Sequence, residues 1–311
     1  MLLNAIYAQI ALLILTGLWI TFSKRRTTAD TAIKVIATIL FCAGLGVGGV
    51  WFYPPLSGLL IAALFFVGLF IVHLRKTRSQ TTLLRSIIGN APLLIMIPLG
   101  SFLLWQGTAG RFEPKGDVIA LNSPFKSAEG ICVLSGGLSP LLNFHNFPSD
   151  SARDIAQTYG LDIIRVGPNG FRTRPEHRLD PKPKDMRHYA MFDTAVYSPC
   201  DGQVVEYENG SPDQAIGESD KINTGGNGVV LKCGMHHVHL HHLKLGSVQT
   251  QLGETVKAGQ KIGHIGNSGN TIEPHLHIHA ETIVEDGNTK RHGSPVHMSF
   301  GDRFMARGDC F

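Results

Sequence analysis

Four apolar runs, at about residues 2–22, 33–53, 57–74 and 86–105, constrain this chain before anything else in it. Each is near the ~20 residues that carry a helix across the hydrocarbon core of a bilayer. Residues 1–107 are therefore expected to form a membrane region with about four transmembrane helices. The third run, Leu59 to Leu74, is the most continuous. The fourth is interrupted by Asn90, Pro92 and Pro98, so neighbouring helices must satisfy its freed backbone groups. A cleaved signal peptide does not account for the first run, because no Lys or Arg precedes it and no clear small-residue cleavage site follows.

The formal net charge of +4 hides a segregation. Lys24, Arg25, Arg26, Lys34, Arg75, Lys76, Arg78 and Arg85 precede residue 110, with Asp30 the one acid there, so the rest of the chain is net acidic. The basic balance thus reports membrane topology and gives no sign of a nucleic-acid partner. These residues flank the loops after the first and third runs, while the link Tyr53-Pro54-Pro55-Leu56-Ser57 has none. The positive-inside bias puts both basic loops in the cytoplasm and residues 108–311 outside it. A multi-pass protein of a bacterial inner membrane, with its C-terminal domain in the periplasm or extracytoplasmic space, is expected. Lys34 and His73 are the ionisable groups within the runs and both sit near cytoplasmic ends, so an anchor is favoured over a transport pathway. Gly44, Gly46, Gly48 and Gly49 would permit close helix packing, and with it a homo-oligomer or a partner from the wall machinery.

From Gly110 onward, short β-branched runs alternate with Gly-rich turns, as in Gly130 to Leu134, Gly202 to Glu206, Gly228 to Lys232 and Lys261 to Ile265. This spacing predicts an all-β domain of antiparallel sheet or sandwich type. A helix fits only Ser149 to Tyr159. Residues 165–192 read as an irregular polar insertion that could cover a cleft and autoinhibit it. Cys132, Cys200, Cys233 and Cys310 lie in this domain; an oxidising compartment allows disulfides between them, and spacing does not choose among three pairings or free thiols.

Two segments carry chemistry. In Pro274-His275-Leu276-His277-Ile278-His279 the alternation of a strand puts the three imidazoles on one face and Leu276 and Ile278 in the core. One imidazole can then ligate a metal while its neighbour handles protons beside it. In Val238-His239-Leu240-His241-His242-Leu243 the same alternation puts His242 on the apolar side and leaves His239 and His241 solvated. His279 reads as a rim histidine.

These residues stand in an order that resembles the lysostaphin/LytM-type zinc endopeptidases of peptidoglycan, the "peptidase M twenty-three" family. Gly136-Gly137 to Asn143-Phe144-His145 resembles the first ligand strand of the branch that writes it Asn-x-His, and Gln157 to Asp162 that branch's Gln-x-Tyr-Ala-x-Asp. Tyr197 to Val204, Gly226-Asn227-Gly228, His242 to Val248, Gly253 to Gly263, Gly266 to Asn270 and Pro274 to His277 follow in family order. The resemblance spans residues 130–307 and implies a LytM-like fold, one zinc ion held by His145, Asp162 and His277, and His242 and His275 as an unligated catalytic pair. Two neutral imidazoles and one carboxylate leave a tetrahedral zinc with an open position, where water is acidified to a pKa of roughly 7.

The expected function is hydrolysis of stem-peptide cross-links of peptidoglycan by a membrane-anchored zinc endopeptidase. A non-catalytic LytM-like regulator or wall-binding module is the alternative. Two departures stand out: His145 and Asp162 are 17 residues apart, and Gly160 replaces an Ala. A competing metal pair, His188 and Asp193, is spaced so that an ideal strand would put the two on opposite faces.

Overall fold

In a computed structural model of the chain, residues 2–51, 56–80, 82, 88–168, 170–180, 183–283 and 292–311 are described. Tyr53–Pro55 and Arg85 of the topology reading lie outside them, as do residues 169 and 181–182 of the 165–192 insertion. The chain divides into two compact units, Met1–Ala109 and Gly110–Phe311.

The first unit holds α1 (Leu2–Phe22), α2 (Thr28–Gly48), α3 (Leu56–Arg75) and α4 (Leu93–Ala109). Thr27 starts α2 as its cap, its hydroxyl accepting the Asp30 N–H at 3.0 Å. Thr28–Gly48, Ser57–Arg75 and Ile88–Ala109 are long and apolar enough to cross a membrane, and α1 contributes a shorter apolar stretch, Ile6–Phe22. The glycines of α2 serve packing inside the chain. A Cβ at Gly44 would stand 2.6 Å from the Gly100 carbonyl of α4, and one at Gly100 would stand 2.8 Å from Cα of Phe41. Only residues without side chains let these backbones approach so closely.

The second unit is mostly β. Its main sheet runs β1 (Val118–Leu121), β11 (Pro295–Phe300), β10 (Leu276–Thr282), β7 (His236–Leu243), β6 (Asn227–Cys233), β5 (Gly202–Glu208) and β8 (Thr255–Val256). A branch adds β3 (Leu161–Arg165) to β10 and β2 (Ile131–Ser135) to β3, and β12 (Arg303–Phe304) pairs with β11. β4 (Ala195–Tyr197) and β9 (Lys261–His264) form a separate pair. The pairings are antiparallel except β1–β11, which is parallel and departs from the purely antiparallel expectation. The helix expected over Ser149 to Tyr159 contracts to one short element, α5 (Ala152–Ala156).

The core explains why β10 can carry polar chemistry. Leu276, Ile278 and Ala280 of β10 pack with Val238 and Leu240 of β7, Val229 and Leu231 of β6, and Ile163 of β3. Burying each of the Leu, Ile and Val side chains contributes roughly 1.5–3 kcal/mol. The apolar half of the strand thus holds it centrally between β7 and β3, and the opposite face is left to His277, His279 and Glu281.

The cysteine alternatives resolve as Cys132–Cys310 and Cys200–Cys233, with Cys42 free. The first links residues 178 positions apart and fastens the chain's end to β2. A bond closing so long a loop restricts the unfolded chain most. Replacing Cys132 and Cys310 by Ser should lower the stability of the second unit by about 2–5 kcal/mol. Thermal melts should show this difference without reductant and lose it when both proteins are fully reduced.

Candidate metal centre

The site forms where β10 meets β3. His277 and Asp162 are directly opposed in that antiparallel pair, so backbone register alone brings one imidazole to one carboxylate. His277 Nδ1 lies 3.0 Å from Asp162 Oδ1. His145 Nε2 lies 2.9 Å from the same oxygen, and the two imidazole centroids are 4.5 Å apart.

Asn143 closes the 17-residue gap between His145 and Asp162. Fully buried, its Oδ1 accepts the His145 N–H at 2.9 Å. Its amide nitrogen lies within donating reach of the carbonyls of Gly137, Thr158 and Gly160, at 3.2, 3.1 and 3.2 Å. One side chain therefore ties the start of the excursion to its return, immediately before β3. Gly160 is part of the fit, because a Cβ there would stand 3.0 Å from His277 Cε1.

His242 reaches the site by a different device. Asn227 pairs with Leu243 and Gly228 with His241, so His242 is an extra residue between two consecutive pairs. Its φ of +66° marks the bulge. The extra residue sends Leu243 into the core and His242 onto the histidine face, with ring centroids 4.8 Å from His275 and 5.9 Å from His277. This corrects the apolar placement that strict alternation predicts.

Backbone carbonyls orient both members of the predicted catalytic pair. His242 Nδ1 lies 2.9 Å from Ser268 O, and His275 Nδ1 lies 2.8 Å from Glu273 O. A carbonyl only accepts, so each Nδ1 carries the hydrogen and each neutral ring keeps its Nε2 lone pair free. His275 Nε2 is 3.5 Å from Asp162 Oδ1. Behind Glu273, a buried ion pair from Arg172 Nε to Glu273 Oε2 at 3.0 Å ties the insertion to the loop that carries His275. Neither Arg172 nor Glu273 stands in the motifs quoted above; a buried pair across about a hundred residues leaves no local pattern.

Charge follows from this packing. Burial by itself would raise the Asp162 carboxyl, but the His145 and His275 imidazoles beside it hold it well below the usual carboxylate range. Burial, then the neighbouring His145, pushes His277 down to about 4. Burial, then His275 and His277, holds His242 well below the usual imidazole range. Burial also opposes charge on His275, yet the Asp162 carboxylate prevails and raises it. Ionised Asp162 beside neutral His277 is the state in which both can bind a cation.

His239, His241 and His279 are not solvated as their sequence positions suggest. His239 and His279 are 6% and 5% exposed, and His241 is half-buried. Cross-strand register stacks them behind the site, His241 opposite His277 and His239 opposite His279. His188 and Asp193 do not come together as a metal pair: Asp193 pairs with Lys244 at 2.8 Å, and His188 stacks on His177 at 3.4 Å between centroids.

Residues 186–295 match the family model of Peptidase family M23. This stretch contains His242, His275 and His277, while His145 and Asp162 precede it. The chain is 28% identical over 165 residues to the peptidoglycan DD-endopeptidase ShyA of Vibrio cholerae serotype O1. That alignment covers 53% of this chain and 33% of ShyA, so the chain spans about a third of the relative's length. Among solved structures, a zinc containing peptidase from Vibrio cholerae aligns at 20% identity over 52% of this chain and 36% of that one, with a TM-score of 0.31. The catalytic domain of lysostaphin from Staphylococcus simulans aligns at 27% identity over 31% of this chain and 69% of its own, with a TM-score of 0.23.

The bulge makes a specific demand on position 242. Glycine adopts a φ of +66° freely, whereas a β-branched residue there is strained. His242→Gly should melt within a few degrees of wild type, and His242→Val should be less stable than His242→Gly by about 1–3 kcal/mol. Equal melting of the two variants would contradict the bulge.

Proposed function

We propose that the chain is a membrane-anchored zinc endopeptidase that hydrolyses peptide cross-links of peptidoglycan during cell-wall remodelling. The observation that carries this reading is the convergence of five side chains. Two imidazole nitrogens, of His145 and His277, and one oxygen of Asp162 face a common point, with His242 and His275 beside it. The donor atoms of the first three lie within 4.8 Å of one another. Donors bound to one tetrahedral zinc stand about 3.3 Å apart, as bonds of ~2.0–2.1 Å require. The triad needs little movement to meet that geometry, and its two nitrogens and one oxygen suit a catalytic zinc with an open position.

When bound there, zinc supplies a Lewis acid that polarises the scissile carbonyl and acidifies water. The chain's own groups handle the protons. His242 and His275, each locked through Nδ1 on a backbone carbonyl, offer Nε2 lone pairs to the attacking water. The imidazole that takes the proton becomes a donor and returns it to the leaving amine, while its neighbour orients the water or stabilises the developing oxyanion.

An inner-membrane anchor is supported by three helices of spanning length and by the segregated basic residues of the first unit. A periplasmic or otherwise extracytoplasmic second unit is supported by its two disulfides. The substrate assignment rests on similarity to ShyA over a third of that protein.

Full-length chain in detergent, loaded with zinc and given purified cross-linked muropeptides, should convert dimers to monomers by mass spectrometry. His275→Ala should slow conversion by about 10²–10⁴-fold, the usual worth of a general acid–base group. Chelation should abolish it and added zinc restore it. Intact dimers in the presence of bound zinc would contradict the proposal and favour a wall-binding or regulatory module.

A further inference from the structure

Behind the proposed zinc triad lies a second cluster with the same donor chemistry. His239, His279 and Glu281 bring two imidazole nitrogens and one carboxylate oxygen within 4.8 Å of one another. All three are buried, at 6%, 5% and 3% exposure. His239 Nε2 lies 3.0 Å from Glu281 Oε1, and the other oxygen of Glu281 is held at 3.3 Å by His292 Nδ1. The arrangement repeats that of His145 on Asp162, where an imidazole N–H rests on the carboxylate that a cation would share. His279 Nε2 is buried and has no hydrogen-bond partner among the described residues. A buried nitrogen left without a partner is costly unless something else occupies its lone pair.

Hydrogen-bond polarity makes this nitrogen a lone pair when Asp162 is ionised and His277 neutral. Ionised Asp162 only accepts, so His277 Nδ1, 3.0 Å away, must carry its hydrogen. Neutral His277 then has a bare Nε2, which accepts from His279 Nδ1 at 3.0 Å. His279 in turn keeps Nε2 bare and pointed away from the first triad. If a cation takes His277 at Nδ1, the polarity inverts. His277 Nε2 becomes the donor, His279 Nδ1 the acceptor, and the remaining hydrogen of neutral His279 moves to Nε2.

We propose that His239, His279 and Glu281 form a second transition-metal site, and that the hydrogen bond between His277 and His279 sets it against the first. Both sites need the same bond with opposite polarity. Filling one therefore forces the other either to break the bond or to lose its ligand lone pair. The rings of His239 and His279 stack with centroids 4.2 Å apart and planes 13° apart, so one ring must turn to bring both nitrogens onto one ion. That adjustment also makes the second site the weaker of the two. The antagonism rests on His277 serving the first site; the second triad itself does not.

Calorimetric titration of the metal-stripped full-length chain in detergent with Zn²⁺, with metal content read by elemental analysis, tests this. Wild type should bind one tight and one weaker equivalent. Glu281→Gln and His239→Asn should each keep the tight equivalent and lose the weaker one. His145→Ala, which disables the first triad but leaves Asp162, His277 and His279 in place, should bind one equivalent that Glu281→Gln abolishes in the double variant. That equivalent should be about tenfold tighter than wild type's second, the worth of one hydrogen bond. A single equivalent in wild type, or a second one indifferent to both Glu281→Gln and His239→Asn, overturns the second site. Equal affinity of wild type's second equivalent and that of His145→Ala overturns the coupling. Retention of the tight equivalent by His145→Ala would instead count against the first triad.

Discussion

One carboxylate oxygen organises the second unit. Oδ1 of Asp162 sits 2.9 Å from His145 Nε2, 3.0 Å from His277 Nδ1 and 3.5 Å from His275 Nε2. A buried carboxylate is costly unless cations or hydrogen-bond donors compensate it. The neighbouring imidazoles do so, and a divalent cation would do so more fully. Much of the surrounding structure serves this atom: the β3–β10 register, the Asn143 clamp behind His145 and the missing side chain at Gly160.

The chemistry also depends on an interruption of regular structure. A continuous β7 would direct His242 into the core with Val238 and Leu240. The extra residue against β6 redirects it at the cost of a left-handed backbone, and the hydrogen bond to Ser268 O then locks its ring. Strain of this kind costs of order 1–3 kcal/mol and persists only where neighbours over-determine it. Here Leu243 in the core and Ser268 on the facing turn supply that determination. His275 is held more conventionally, through Glu273, whose carboxylate is pinned in turn by Arg172. The 165–192 insertion thus has at least one structural tie to the loop bearing the proposed proton carrier.

Parts of this arrangement were legible in the sequence for physical reasons. The apolar runs announce the helices, and the two-residue period of β10 places His277 opposite Leu276 and Ile278. The ordered motifs from Asn143 to His277 name the five residues that the fold brings together. What was not legible depends on contacts remote in sequence. The bulge at His242 needs the register of β6, and the burial of His239, His241 and His279 needs the pairing of β7 with β10. The parallel β1–β11 pair joins residues nearly 180 positions apart, and the disulfide pairing follows the fold rather than the spacing. Alternation along a single strand says which face a side chain takes; it is silent on what covers that face.

X-ray absorption at the zinc edge, on full-length chain carrying one equivalent of zinc, reads the ligand set of the metal itself. A centre built on His145, Asp162 and His277 should give a four-coordinate shell of nitrogen and oxygen at about 2.0–2.1 Å, with scattering from two imidazoles. Sulfur at about 2.3 Å, or a shell without imidazole, would contradict a centre built on His145, Asp162 and His277.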